Sequence, residues 1–331
     1  LIHEGSIPVK IALIIVNFNG GDDLQRCLHR VRAQSRPPDR CIVIDNLSLK
    51  IPIKGDESWL QGIEFIKNPF NMGFASANNL GAQRALEADW LVFLNPDAFP
   101  EPNWLQSLEE ASKAHPSTAS FTSRQISFEN PETLDGTGDG LSLAGRPFRR
   151  GFGGKVHSGH SASGPVFSAC GAAMMIKRDL FMDLGGFDDE FFCYLEDIDL
   201  GFRLNLLGYH CLYVEEATVF HRGSGTTGFR SEFSTYHGHR NMLWVLIKNM
   251  PTALLPLTIP LHLIITLLAF VQCLRREQGM VFLRSKWDAL KGLPMIIKKR
   301  KIIQQSRKAT LLEVLRAFRS KPEKALSLVI F

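Results

Sequence analysis

Two short stretches place acids where simple structure does not require them. In "FFCYLEDIDLGFRLNLLG" the residues Glu196, Asp197 and Asp199 crowd the first turn of an amphipathic pattern, directly after an aromatic run. Acids favour helix N-termini electrostatically, which accounts for any one of them. All three together exceed what a cap needs. Packed carboxylates raise one another's pKa, the property of a general base working near neutral pH. In "DWLVFLNPDAFPEP" an apolar run ends in Asn95-Pro96-Asp97. Pro96 alone suffices to turn the chain, so the carboxylate just beyond the strand asks for a separate reason. The plain one is a turn acid bonding its own backbone before Pro100 and Pro102.

The elements that must position these acids are legible from periodicity. "VKIALIIVNF" is a β-branched apolar run closed by Asn19-Gly20-Gly21, and "DDLQRCLHRVRAQ" sets Leu24, Cys27, Leu28 and Val31 on one helical face. "RCIVID", "IEFIKN" and "DWLVFLN" read as further strands, and "FASANNLGAQRALEA" as a helix. Alternating strands and helices predict an α/β fold, a mostly parallel sheet with helices on both faces. Ligands bind such sheets beyond the carboxyl ends of the strands. Asn17 and Asn19, Asp45 and Asn46, and Asn95 and Asp97 stand at those ends and are expected on one rim. A second block runs from "SACGAAMMIKRDLF" to "ATVFHRGSGTTG". It carries the acid cluster on a helix with Leu200, Leu204 and Leu207 inward and Gly208 as its stop.

Bulk composition sets the class. The chain has 331 residues, 45% hydrophobic and 21% charged, a globular balance that argues against global disorder. Its six cysteines form no Cys-x-x-Cys pair, so neither a disulfide framework nor a zinc cluster is expected, and a reducing compartment fits best. "LIHEGSIPVK" has an acid and no basic region followed by a long apolar stretch, so no secretory signal is expected there.

Charge is uneven. Residues 275–331 hold 15 Lys+Arg against 4 Asp+Glu, a balance of +11, while residues 1–274 hold 23 against 29, a balance of −6. A basic tail suits nucleic acid or anionic lipid. The adjoining uncharged "PTALLPLTIPLHLIITLLAFVQCL" is long enough to cross a bilayer and favours lipid. A single span would export the "IIKKRK" cluster, against the preference for positive charge inside, and Pro256 and Pro260 interrupt a helix there. The expectation is a re-entrant or interfacial hairpin on the cytoplasmic face of the plasma membrane, held by anionic headgroups. A buried apolar helix pair is the alternative. The expected division is a domain over 1–245 and an apolar, basic helical region over 246–331, with no nucleic-acid partner.

Several ordered motifs resemble one family: "IIVNFNG", "VIDNLS", "NPFNMGFASANNLG", "LNPDA", "GTGDGLSLAGRPFRRG", "CGAAMMIKRDLFMDLGGFDDEFFCYLEDIDLGFRLNLLGY" and "ATVFHRGSGTTG". Over residues 9–245 the chain resembles the inverting glycosyltransferases of family 2, especially bacterial rhamnosyltransferase-like members. The resemblance implies a GT-A, Rossmann-like fold and a nucleoside-diphosphate sugar as donor. It also implies a hydroxyl of a lipid-linked glycan as acceptor and Mg²⁺ or Mn²⁺ as cofactor. It makes Asn95-Pro96-Asp97 the Asp-x-Asp-type motif, with Asp97 as metal ligand and Asn95 on the ribose or a water. His221 is implied as a second ligand, an imidazole suiting Mn²⁺ better than Mg²⁺. Asp45 falls where the family contacts the base, and a carboxylate accepts the imide proton of uracil or thymine. Asn17, Asn19, Asn46, Asn71, Gly73 and Asn78 complete the implied donor site, with Gly73 opening a helix. Asp197 matches the base and Glu196 orients it or the acceptor, while Asp199 serves the helix and Arg203. Arg222 and the "GSGTTG" loop are implied to close over the diphosphate. Arg149 and Arg150 serve likewise or form a solvated basic turn, and Cys170 reads as a packed residue.

Three other readings compete. A glycoside hydrolase also pairs carboxylates but needs neither metal nor nucleotide. A nucleotidyltransferase calls for a better glycine-rich phosphate loop than "NFNGGDD". A non-catalytic glycan-binding or scaffold member of an assembly complex has no need of Asp97, Asp197 and His221 together. Rhamnose from its thymidine diphosphate is the first expected donor; galactose, glucose or an N-acetylated sugar from the uridine form follow.

Overall fold

The first strand and helix form as their patterns dictate. β1 (Ile11–Asn17) is buried along its length, and α1 (Gly21–Arg32) turns Leu24, Cys27, Leu28 and Val31 into the core. The computed structural model describes residues 9–156, 163–223, 228 and 230–318. β2 (Arg40–Asp45), β3 (Glu64–Lys67), α2 (Gly73–Arg84) and β4 (Trp90–Leu94) follow. These strands pair in parallel in the order β4-β1-β2-β3, with Asn17 opposite Asp45.

Beyond β4 the sheet becomes mixed. Next in the chain come β5 (Ala98–Pro100), α3 (Trp104–Ala114), β6 (Ser120–Ser127), β7 (Leu134–Gly136), β8 (Asp139–Leu141) and β9 (Pro147–Arg149). Then follow β10 (Gly164–Val166), β11 (Ala173–Lys177), α4 (Arg178–Asp183), α5 (Glu196–Leu206) and β12 (Cys211–His221). β11 lies antiparallel between β4 and β6, and β12 runs parallel to β6. The carboxyl ends of β1, β2, β4, β6 and β12 therefore share one rim. One apolar cluster packs α1 and α3 on one face of the sheet, and another packs α2, α4 and α5 on the other.

The C-terminal part is helical: α6 (Glu232–Asn249), α7 (Leu255–Arg275), α8 (Gly279–Lys291), α9 (Leu293–Ser306) and α10 (Leu311–Ala317). The boundary expected at 245/246 falls inside α6, which runs unbroken through it. Trp244, Met250, Ala289, Ile296 and Val314 share one apolar cluster with Phe202 of α5. A buried ion network crosses the same seam. Asp199 accepts from Arg203 (2.9 Å), Lys248 (2.9 Å) and Asn249 (2.8 Å), and Asp188 pairs with Lys248 and Lys299. Buried charges persist where each is paired in this way. α5 is consequently buried on nearly every side, and it is Leu206, not Leu207, that completes its inward set.

The apolar segment is one continuous helix, not a hairpin. Pro256 sits in its first turn, and Pro260 lies within it without ending it. Among the described residues, 252–275 is the one stretch long and apolar enough to cross a membrane, with mean hydropathy 2.3. The alternative of a buried helix pair also fails, since only 17% of that stretch is buried.

Candidate active site

The donor-side residues at the rim are tied to one another. Asn17 is fully buried; its amide donates to Asp45 Oδ1 (2.9 Å) and Ser48 Oγ (2.9 Å), and its Oδ1 accepts from Gly20 N–H. Asn19, at φ 56, accepts from Lys50 N–H (2.9 Å). Asn46 donates to Asn71 Oδ1 (2.8 Å) and Gly73 O and accepts from Asn68 and Met72 N–H, stitching the loop after β2 to the start of α2. Gly73 stands at φ +81, and a Cβ there would lie 2.6 Å from the Phe192 carbonyl. Its missing side chain thus admits the loop before α5.

A chain of alternating charges runs on from Asp97. His221, at the end of β12, places Nε2 3.4 Å from Asp97 Oδ1 and bonds Asp135 Oδ2 through Nδ1 (2.8 Å). Arg149 bonds Asp135 (3.0 Å), Asp139 (3.3 Å) and the Cys170 sulfur (3.0 Å). Burial works against charge on His221, but Asp97 and then Asp135 outweigh it and raise its pKa to about 10. Burial likewise opposes ionisation of Asp135, yet Arg149 and His221 hold it down at about 2. Asp97 stays below its ordinary range because His221 overcomes its burial.

The acid pair opens α5 in a protected corner. Asp197 Oδ2 accepts from Gly171 N–H (2.8 Å) and Oδ1 from Ile198 N–H (2.8 Å). Burial raises the pKa of Asp197 against these donors. Glu196 is pushed up further, by burial and then by Asp197, and its Oε2 is buried without a partner. Asp139, raised to about 7 by burial despite Arg149, brings a third acid group close. Single ligand atoms of Asp139, Cys170 and Asp197 lie within 4.8 Å of one another. That acidic group is a possible cation site, but the Arg149 guanidinium already supplies positive charge there.

A cleft of about 840 Å³ joins these parts. Asn46, Asn71, Gly73, Asn95, Asp97, Glu196, Asp197, His221 and Arg222 all line it. Asn17, Asn19 and Asp45 are not among its lining residues: Asn17 and Asp45 are buried at the rim and Asn19 is half-buried. Asn78 departs from its expected place: it is buried within α2, donating to Phe74 O (2.9 Å). Arg149 is neither a lid nor a solvated turn, because Asp135 and Asp139 hold it in the floor. Arg150 extends its guanidinium over the Tyr213 ring. Arg222 lies 3.3 Å from Asp23 and stacks on Phe128, while residues 224–227 of the "GSGTTG" loop lie outside the described residues. Cys170 is buried, its thiol pushed well up by burial, as a packed residue should be. Sequence reasoning missed Asp135 and Asp139. Their one signal was "LDGTGDG", acids between glycines ahead of an arginine pair.

Known proteins resemble this chain in sequence and in fold. The family model described as glycosyl transferase family 2 matches residues 12–185, and that of glycosyl transferase family group 2 matches residues 141–274. N-acetylglucosaminyl-diphospho-decaprenol L-rhamnosyltransferase of Mycobacterium tuberculosis is 23% identical over 265 residues, 72% of this chain and 84% of the relative. Among solved structures, GalNAc-T7 with UDP, GalNAc and Mn²⁺ superposes with TM-score 0.57 at 16% identity, covering 72% of this chain and 48% of that one. The mannosyltransferase PcManGT of Pyrobaculum calidifontis, in complex with GDP-Man and Mn²⁺, gives 0.52 at 14% identity over 95% of this chain and 88% of that one.

Proposed function

The chain belongs to glycosyl transferase family 2, and from that premise we propose that it moves one sugar, with inversion, from a nucleoside diphosphate to a hydroxyl of a lipid-linked glycan in cell-surface polysaccharide synthesis. The supporting observation is that Asp97 with His221, and Glu196 with Asp197, line the same cleft. Asp197 takes the proton of the acceptor hydroxyl as that oxygen attacks the anomeric carbon. The Gly171 and Ile198 N–H groups fix the carboxylate's position, and Glu196 beside it would orient the acceptor. Asp97 and the His221 Nε2 would hold a divalent cation. They fit one: Nδ1 is anchored on Asp135, so the orphaned Nε2 beside Asp97 is oriented as a carboxylate on the far nitrogen orients a ligating imidazole. When bound, such a cation neutralises charge developing on the departing diphosphate, and the imidazole favours Mn²⁺. Arg222, which lines the cleft, would turn from Asp23 to the same phosphates. Asp45 would read a uracil or thymine imide; the M. tuberculosis relative's name adds rhamnose as the first sugar and N-acetylglucosaminyl-diphospho-decaprenol as the first acceptor, which with a thymine base makes dTDP-rhamnose the first donor to test. A panel of UDP- and dTDP-sugars with Mn²⁺ should raise the melting temperature for one donor at least, since ligand at about 100 times Kd adds about 2.7 kcal/mol. No shift with any donor would remove the donor site.

The acceptor's lipid also explains α7. The side chains that α7 turns to the protein are Thr258, His262, Ala269 and Cys273, whereas Leu263, Ile264, Leu267 and Leu268 are exposed. A small and polar stripe inward with leucines outward suits hydrocarbon, not water. Of the "IIKKRK" cations, Lys299 and Arg300 are spent on Asp188 and on carbonyls of α6 and Met250. Lys298, Lys301, Arg275 and Lys291 remain exposed for anionic headgroups. The protein should sediment with phosphatidylglycerol vesicles more than with phosphatidylcholine ones. Leu263→Glu with Leu267→Glu should abolish sedimentation without lowering the melting temperature; equal sedimentation of parent and variant would place the lipid contact elsewhere.

A further inference from the structure

The segment leading into Glu196 is bent against its own preferences. Phe192, Tyr194 and Leu195 all take positive φ (63, 70 and 68), a conformation side-chain-bearing residues rarely adopt. Phe192, at ψ −62, closes a three-residue turn in which Cys193 N–H donates to Phe191 O (2.7 Å), a strained form of the γ-turn. Such conformations persist only when surrounding contacts over-determine them. The bend turns carbonyls of Phe191, Cys193 and Tyr194 toward α6. There the fully buried Asn241 shares the two hydrogens of its amide nitrogen among all three, at 3.0, 2.9 and 2.7 Å. Its neighbour Arg240 donates to Glu190 O and Phe191 O, both at 2.9 Å.

We infer that Asn241, seconded by Arg240, is a positioning residue: it holds the strained 191–195 bend that aims Glu196 and Asp197 into the cleft. Asn241 does not itself line the cleft and acts through the backbone that precedes α5. An amide is required, since a carboxylate of the same shape would set its oxygens against three carbonyls. The inference rests on Asp197 being the base. It also gives α6 a task in catalysis as well as in packing.

The test compares Asn241→Ala and Asn241→Asp with Leu246→Ala, which opens a cavity in the same helix without touching the bend. The measurements are dTDP release from dTDP-rhamnose with N-acetylglucosaminyl-diphospho-decaprenol, dTDP binding with Mn²⁺, and amide hydrogen exchange over residues 191–198. Both Asn241 variants should lose at least ten-fold in kcat, with dTDP affinity within two-fold of the parent. Their amides at 193–197 should exchange faster, and the acid limb of the kcat profile should move to lower pH as the acid pair gains solvent. Leu246→Ala should lower the melting temperature while leaving the acid limb and those amides unchanged. Parent-like exchange in Asn241→Ala, or the same changes in Leu246→Ala, would overturn the inference. Asp197→Asn separates the two levels. Full turnover there removes the base itself, whereas an inert Asp197→Asn beside a parent-like Asn241→Ala removes only the clamp.

Discussion

Asp197→Asn should lower kcat by about 10²- to 10⁴-fold, the span a positioned general base contributes, while donor affinity stays within about two-fold. Asparagine keeps the shape of the side chain, and its one carbonyl oxygen can still accept from the Gly171 N–H, though it gives up the bond from Ile198. What it loses is the capacity to take a proton from the acceptor. Misfolding does not explain such a loss, and the direction of linkage shows why. Burial raises the pKa of Asp197 and Glu196 in the folded protein above their ordinary values. Stability from a group so raised is full below the ordinary carboxylate range and falls as pH rises through the raised value. Asparagine removes that fall, so the variant should melt at or above the parent's temperature at neutral pH. In the parent, kcat should decline on the acid side as the pair takes up its proton, at a pH above the ordinary carboxylate range. Unchanged turnover in the variant would falsify the assignment of the base.

The strand-end rim was legible because β-branched runs and a helical apolar period specify a parallel α/β sheet, and such sheets bind beyond their carboxyl ends. Asp97 and Asp197 were legible because each stands where structure alone asks for no acid. The asparagines were less so. Asn17 and Asn46 mark the rim correctly, yet their amides are consumed by Asp45, Ser48, Asn71 and Gly73, and Asn78 serves its own helix. An amide bonds backbone and ligand equally well, and residue type does not distinguish the two. Asp135, Asp139 and Arg149 sit on three-residue strands between glycines, too short to carry any period. The partnership of Asp135 with His221 spans 86 residues, which only the fold closes.

In the C-terminal part composition and connectivity diverge, since α6 runs through the expected boundary. The shift from a mixed to an apolar composition after residue 245 reads as a boundary, but composition reports solvent, not connectivity. Lys248 reads as the last charge before an apolar run. It is buried, satisfying Asp188 and Asp199 from the other side of the supposed boundary. Outward leucines on α7 belong to a helix that is tied to the same body by His262 on the Ala144 carbonyl and Cys273 beside His239. The strained bend and the exposed apolar face of α7 are thus parts of one helical assembly, joined through α6.

The second large effect concerns Asp97 and His221. Asp97→Ala should abolish the Mn²⁺-dependent part of donor binding, leaving a weak, metal-independent remainder, and His221→Ala should do most of the same. The pH dependence identifies the pair more sharply than the loss itself. Without a cation His221 is held protonated, with a pKa of about 10 set by Asp97 and Asp135 against burial. A ligating imidazole must be neutral, so cation binding expels this proton. Apparent Mn²⁺ affinity should therefore climb with pH across the neutral range, by up to about ten-fold per unit, and calorimetry in buffers of different ionisation heat should register the released proton. The metal-free protein should show the converse. Because the folded pKa lies above the ordinary 6.5, stability from His221 is full below about 6.5 and is lost as pH rises through about 10. Asp97→Ala removes the largest attraction raising that pKa, so it should flatten both the melting profile and the pH slope of Mn²⁺ binding. An Mn²⁺ titration of Asp97→Ala that matches the parent at every pH would leave the acid beyond β4 as a turn residue and nothing more.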